Sequence, residues 1–148
     1  MKISKYKESD FEGCMNVFES NMPRYFAEWE RDEYASYLSK HASTEPYFVC
    51  KNDCSIVGCG GYFFDGNWAG LSWGMVLNDS HGQGIGSALL QHRLECLQQS
   101  RNNIQVRIDT SQHTQGFYEH HGFKVVGKVE NGYTQGLHKI FMEYRAKS

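Results

Sequence analysis

Between residues 76 and 90 the chain reads Val-Leu-Asn-Asp-Ser-His-Gly-Gln-Gly-Ile-Gly-Ser-Ala-Leu-Leu, an apolar strand end running through three alternate glycines into an amphipathic helix. No other stretch constrains the fold as much, because it demands a strand, a turn free of Cβ atoms and a helix start in direct succession. Glycines let the backbone approach a bulky anion, and a new helix presents unpaired N–H groups at the positive end of its dipole. The junction therefore reads as a phosphate-binding turn. Its spacing excludes two kinds. A dinucleotide site wants G-x-G-x-x-G and an acid about 20 positions on. Here Gly82, Gly84 and Gly86 give G-x-G-x-G, followed by Ser87 and no such acid. A phosphate loop with Gly-Lys-Ser/Thr is absent too.

A second block lies downstream. Residues 109–123 read Asp-Thr-Ser-Gln-His-Thr-Gln-Gly-Phe-Tyr-Glu-His-His-Gly-Phe, a helix carrying Phe117-Tyr118 and ending in Gly122-Phe123. The two blocks, in this order and at this separation, resemble the GNAT family of N-acetyltransferases. His81, Gly84 and Gly86 fill that family's acetyl-CoA signature, (Gln/Arg)-x-x-Gly-x-(Gly/Ala). With a matching run of elements on either side, the resemblance covers nearly the whole chain. It implies transfer of the acetyl group of acetyl-CoA to a primary amine, by direct attack within a ternary complex.

Composition agrees with one enzyme-sized domain over residues 1–148. Hydrophobic residues make up 40% of 148 positions, enough for one substantial core and too few for two. With 15 basic against 17 acidic residues, the net charge of −2 offers no footprint for nucleic acid or an anionic membrane. The N-terminus lacks the apolar run of a signal peptide, and no stretch approaches the ~18 apolar residues of a membrane span, so a cytoplasmic protein is expected. Cys14, Cys50, Cys54, Cys59 and Cys96 are odd in number and lack C-x-x-C spacing, which reads as reduced core cysteines. The seven histidines contain no i, i+4 ligand pair, and no metal is expected.

Periodicity gives the order β-α-α-β-β-β-α-β-α-β-β, an α+β fold. The resemblance implies a mixed, mostly antiparallel sheet of about seven strands with helices on both faces. Ser9-Asp-Phe-Glu12 reads as a capping box opening a helix with Phe11, Cys14, Met15, Phe18 and Met22 on its apolar face. Residues 68–77 alternate Ala69, Leu71, Trp73, Met75 and Leu77 with Gly70, Ser72, Gly74 and Val76, a bulky face against a bare one. The helix after the glycine turn carries Ile85, Ala88, Leu89, His92, Cys96 and Leu97 as its core stripe, and Asn131-Gly132 reads as the loop before the last strand.

The resemblance also implies roles. Met75, Val76 and Leu77 would pair with the pantetheine arm, and a backbone N–H at Val76 would face the thioester oxygen. His81, Gly82, Gln83, Gly84, Ile85, Gly86 and Ser87 would bind the pyrophosphate. Ser111 stands where Asn often meets pantetheine, and it equally suits a helix N-cap. Tyr118 would return a proton to the departing thiolate as general acid. The base is open, because Ala69 to Leu77 contains no Asp, Glu or His. Asp109 could take the proton or cap the Phe-Tyr helix, with Asp65, Glu28, Tyr133 and His138 as weaker candidates. Tyr25, Phe26 and Trp29 could line the pocket of a small-molecule or peptide amine, or pack against the domain. Relatives in the family often dimerise through their late strands. The alternative to an enzyme is a non-catalytic acyl-CoA-binding or regulatory module, and a longer acyl chain is a third reading.

Overall fold

The computed structural model describes residues 1–145. In chain order they form β1 (Lys2–Lys5), α1 (Phe11–Ser20), α2 (Glu30–Lys40), β2 (Tyr47–Asn52), β3 (Ser55–Asp65), β4 (Trp68–Val76), α3 (Ile85–Ser100), β5 (Gln105–Thr110), α4 (Gln115–His120), β6 (Lys124–Thr134) and β7 (Leu137–Arg145). The order is the one periodicity predicts. Seven strands make one sheet, β1-β2-β3-β4-β5-β7-β6, antiparallel except where β4 meets β5. On one face Phe18 and Leu38, from α1 and α2, pack with Tyr47, Val49, Cys59 and Met75. On the other, Leu90, Leu94 and Leu97 of α3 pack on Ala69, Val106 and Ile108, with Phe117 and Tyr118 of α4 at the margin. Full burial of a side chain such as Phe18 or Leu38 contributes roughly 1.5–3 kcal/mol.

Local departures from the expected pattern have physical causes. The first helix does not open on a Ser9–Glu12 box. A 3-10 turn over Glu8–Asp10 precedes it, and the Asp10 carboxylate accepts the Lys7 N–H at 3.0 Å. Asp10 is buried and has the partner its charge requires, Lys51 Nζ at 3.1 Å, whereas Glu12 is exposed. The stripe on α3 is Ile85, Leu89, Arg93 and Leu97 with Leu90 and Leu94, so Ala88, His92 and Cys96 lie only half-buried beside it. Cys54 is exposed in the β2–β3 turn, unlike buried Cys14, Cys50 and Cys59. The last hairpin turns at Gln135-Gly136, between paired Thr134 and Leu137. Asn131-Gly132 is instead an irregularity inside β6, where Asn131 takes φ +54° and its side chain accepts the Gly136 N–H at 2.7 Å.

The strict alternation expected over residues 68–77 also fails, at a β-bulge. Cys59 pairs with Met75 and Gly61 with Ser72, so Trp73 and Gly74 together oppose Gly60. Trp73 adopts φ +45°, and the extra residue reverses the parity of the strand. Ala69 and Leu71 join the α3 side, as do Gly74 and Val76. Trp73 and Met75 instead turn to Phe18 and Tyr34 on the opposite face. The bulge also bends the strand. Parallel pairing joins Trp68, Ala69 and Gly70 to Gln105, Val106 and Arg107, and stops there. Beyond Gly70 the two strands diverge and open a cleft through the middle of the sheet.

Candidate active site

Two adjoining cavities, of about 360 and 460 Å³, fill this cleft. Both lie in the range of small-ligand sites. They share eight residues, among them Tyr25, Gly74, Val76, His81, Arg93 and Tyr118, so a molecule threaded from one to the other passes between them.

The larger cavity is walled by the glycine turn. Gly82 and Gly84 take φ of +81° and +82°, and a Cβ on either would meet nothing within 4 Å. Glycine is needed there for its left-handed backbone and not for lack of space. Gly84 caps α3 without a side-chain bond, and Ala88 N–H finds the Gly84 carbonyl at 3.0 Å. The N–H groups of Ile85, Gly86 and Ser87 therefore begin the helix without helical acceptors, at the positive end of its dipole. Ser87 Oγ lies 3.0 Å from His121 Nε2, which ties this turn to the end of α4. Of the residues expected at this site, Gln83 and Leu77 do not line the cleft. Gln83 points to solvent, and Leu77 packs into the core with its N–H bound to the Val57 carbonyl at 2.8 Å.

That last bond fixes the register. It makes Gly58 and Val76 a non-hydrogen-bonded pair, so the N–H and C=O of Val76 point away from β3 and into the cleft. The carbonyl is already engaged twice, by Asn21 Nδ2 at 2.8 Å and by His81 Nε2 at 2.9 Å. The Val76 N–H is left facing the gap. His81 thus differs from expectation: its ring donates back to the strand, and a neutral imidazole has only an acceptor left for any outward contact. Tyr25 stacks edge-on against the same ring, with centroids 5.2 Å apart.

Tyr118 stands at the junction, between Phe117 and Phe123 in edge-to-face contacts of 5.1 and 5.4 Å. No hydrogen bond to the described residues engages its hydroxyl. Ser111 is buried on the cavity wall, and its hydroxyl accepts the His113 N–H at 3.3 Å. It closes the turn before α4 and not the helix itself, whose N-cap is Thr114.

The smaller cavity lies beyond Tyr118. Phe26 packs on Phe18 at 4.7 Å, while Trp29, 50% exposed, lines the wall and donates Nε1–H to the Tyr133 carbonyl at 2.6 Å. Asp109 does not cap α4. Its carboxylate accepts the Tyr133 hydroxyl at 2.7 Å, and burial with the neighbouring Asp109 charge pushes that phenol well above its ordinary range. Glu30 completes the acidic wall. Burial pushes its carboxyl up to about 7, while the Ala27 N–H, donated to Oε2 at 2.8 Å, partly offsets this. Lys139 lines the same cavity and sits 5.1 Å from the Tyr133 ring. Asp65, Glu28 and His138 do not line it.

Glu30, Glu33, Lys139 and Arg93 are charged lining residues that sequence reasoning passes over. Glu30 had one available signal, an acid at the start of a helix after an aromatic loop. Arg93 had none, being a cation on an otherwise apolar stripe. Among the described residues no group of three His, Cys, Asp or Glu converges to hold a metal, and no helix is long and apolar enough to cross a membrane.

A family model described as an acetyltransferase (GNAT) domain matches residues 43–125, more than half of the 148. No curated protein matches significantly. Solved structures match over nearly the full length. One assigned to the GNAT family, from Desulfovibrio desulfuricans, is 20% identical with a TM-score of 0.80, covering 98% of this chain and 97% of its own. The ribosomal-protein-S18-alanine N-acetyltransferase of Escherichia coli is 19% identical with a TM-score of 0.79, over 99% and 94%. An aminoglycoside 6'-N-acetyltransferase complexed with coenzyme A is 18% identical with a TM-score of 0.81, over 100% and 98%.

Proposed function

Because this chain belongs to the GNAT acetyltransferase family, we propose that its splayed cleft binds acetyl-CoA and passes the acetyl group to an amine held in the smaller cavity. The observation that carries this reading is the continuity of the cleft, from the glycine turn past Tyr118 to the acidic wall of Glu30 and Asp109. The aminoglycoside and ribosomal-protein enzymes named above act on amines, and the same class of acceptor is proposed here. The whole chain would act as one domain.

In this mechanism the free N–H groups of Ile85, Gly86 and Ser87 hold the pyrophosphate, and pantetheine runs beside β4. The amine enters as an ammonium and must lose a proton before it attacks. A carboxylate with pKa near 7 suits that task at neutral pH, which favours Glu30, with Asp109 beside it holding positive charge. Attack on the thioester carbonyl puts charge on its oxygen, where the Val76 N–H can donate. Tyr118 then gives its proton to the leaving thiolate. A hydrogen bond from the same hydroxyl to the departing sulfur supplies part of the benefit.

The test is thiol release from acetyl-CoA across a panel of amines, alongside calorimetry with acetyl-CoA. One-to-one binding with amine-dependent release of CoA supports the transferase. Tight binding with no release for any amine favours the non-catalytic module, and no binding overturns the assignment of the cleft.

A further inference from the structure

Arg93 is 3% exposed, yet no carboxylate among the described residues lies within ion-pair distance of it. Its guanidinium lies in a slot under the β4 bulge. A Cβ on Gly60 would fall 2.9 Å from its Cζ, and one on Gly74 would fall 3.0 Å from Nη1 and Nη2. The two glycines make room for it. Nε donates to the Leu89 carbonyl at 3.3 Å and Nη1 to the Gly61 carbonyl at 3.2 Å, while Nη2 has no acceptor among the described residues. Both cavities include Arg93 in their walls. An arginine keeps its charge in any protein setting, and two carbonyl dipoles do not supply a counter-ion. The methyl of an acetyl group offers it nothing.

We propose that Arg93 anchors a carboxylate carried by a ligand in the cleft, a role that rests on the reading of the cleft as the acyl-transfer site. Two sources share this chemistry: an amine acceptor that bears a carboxylate, or an acyl chain that ends in one. The charge layout favours the acceptor. With Glu30, Glu33 and Asp109 in its lining, Lys139 near the Tyr133 ring and the otherwise uncompensated Arg93 under the bulge, the smaller cavity offers opposite charges to the two ends of an amino acid.

The experiment compares matched pairs with wild-type protein, Arg93→Met and Arg93→Lys. In one arm, kcat/KM with acetyl-CoA is measured for phenylalanine and for phenethylamine. In the other, calorimetry compares succinyl-CoA with butyryl-CoA. The expected result is a preference of about tenfold or more for the carboxylate member in one arm. Arg93→Met abolishes that preference and Arg93→Lys keeps part of it. The ratio within a pair reports anchoring, since a merely structural loss lowers both members alike. A preference in the first arm assigns the acceptor, and one in the second assigns the acyl chain. Equal handling in both arms, or a preference that survives Arg93→Met, overturns the proposal. The wild-type ratios decide it even where a variant fails to fold. Wild-type protein that binds acetyl-CoA without carboxylate preference overturns the role of Arg93 alone, whereas protein that binds no acyl-CoA overturns the reading beneath it.

Discussion

The two ends of the β4–β5 junction are built from the same two strands and behave oppositely. At one end Trp68, Ala69 and Gly70 are laddered to Gln105, Val106 and Arg107, and the Arg107 guanidinium carbon sits 3.2 Å from the centre of the Trp68 ring. At the other, one extra residue at Trp73 and Gly74 turns β4 aside and leaves Val76 facing open space. A closed sheet satisfies its backbone internally, while a splayed one keeps donors free for a ligand. In this sheet a single bulge separates scaffold from site.

Substitutions at four positions sharpen that contrast. The largest effect is expected at the mouth of the open end. Gly84→Glu puts a carboxylate where the phosphates would lie and should weaken acetyl-CoA binding more than about a hundredfold by calorimetry. Gly84→Ala carries the left-handed strain of roughly 1–2 kcal/mol without the charge, and should weaken binding far less. Equal losses would place strain, not charge, as the cause. Next, Tyr118→Phe should lower kcat about a hundredfold and leave acetyl-CoA affinity nearly unchanged, as read by steady-state kinetics and calorimetry. An unaltered kcat removes Tyr118 as the acid.

Glu30 gives a pH signature. Its carboxyl is raised from an ordinary 4.5 to about 7, so the folded chain holds a proton that the unfolded chain releases. The contribution of this group to stability is full below pH 4.5 and is lost as pH rises to about 7. Denaturation at a series of pH values should therefore find Glu30→Gln gaining on wild type across that window, by at most roughly 3 kcal/mol. A difference that stays flat with pH contradicts the raised pKa. The same variant should lose the limb of the kcat/KM profile that rises near pH 7. Smallest of all, Arg107→Ala acts at the closed end. It should cost about 0.5–1 kcal/mol in stability and leave acetyl-CoA affinity intact. A large loss of affinity would mean that the closed end is part of the site.

Much of this was legible in the sequence, for reasons that particular residues make plain. Element order followed from periodicity, and the glycine turn was readable because left-handed backbone at positions 82 and 84 needs glycine. The bulge was not, because Ala69 to Leu77 alternates without a flaw and only the pairing with Gly60 reveals the extra residue. Misreading it also assigned Trp73 the wrong face. Gln83 was counted with the turn and Leu77 with the pantetheine strand by proximity in sequence, although one points outward and the other packs against the core. The acidic wall was hidden because Glu30, Asp109 and Tyr133 come from three distant segments. Only the irregularity at Asn131-Gly132, which reads as an ordinary turn, lets β6 run on to Tyr133. Arg93 ran against pattern altogether, since a buried cation mimics a surface residue until its glycine slot is seen.

The most direct test of the central claim is a titration with acetyl-CoA followed through backbone amide resonances. The account predicts one-to-one binding in which Val76 and the amides from Gly82 to Ser87 shift, while those of Gln105 to Arg107 at the closed end stay in place. Shifts centred on the closed end, or none at all, would contradict it.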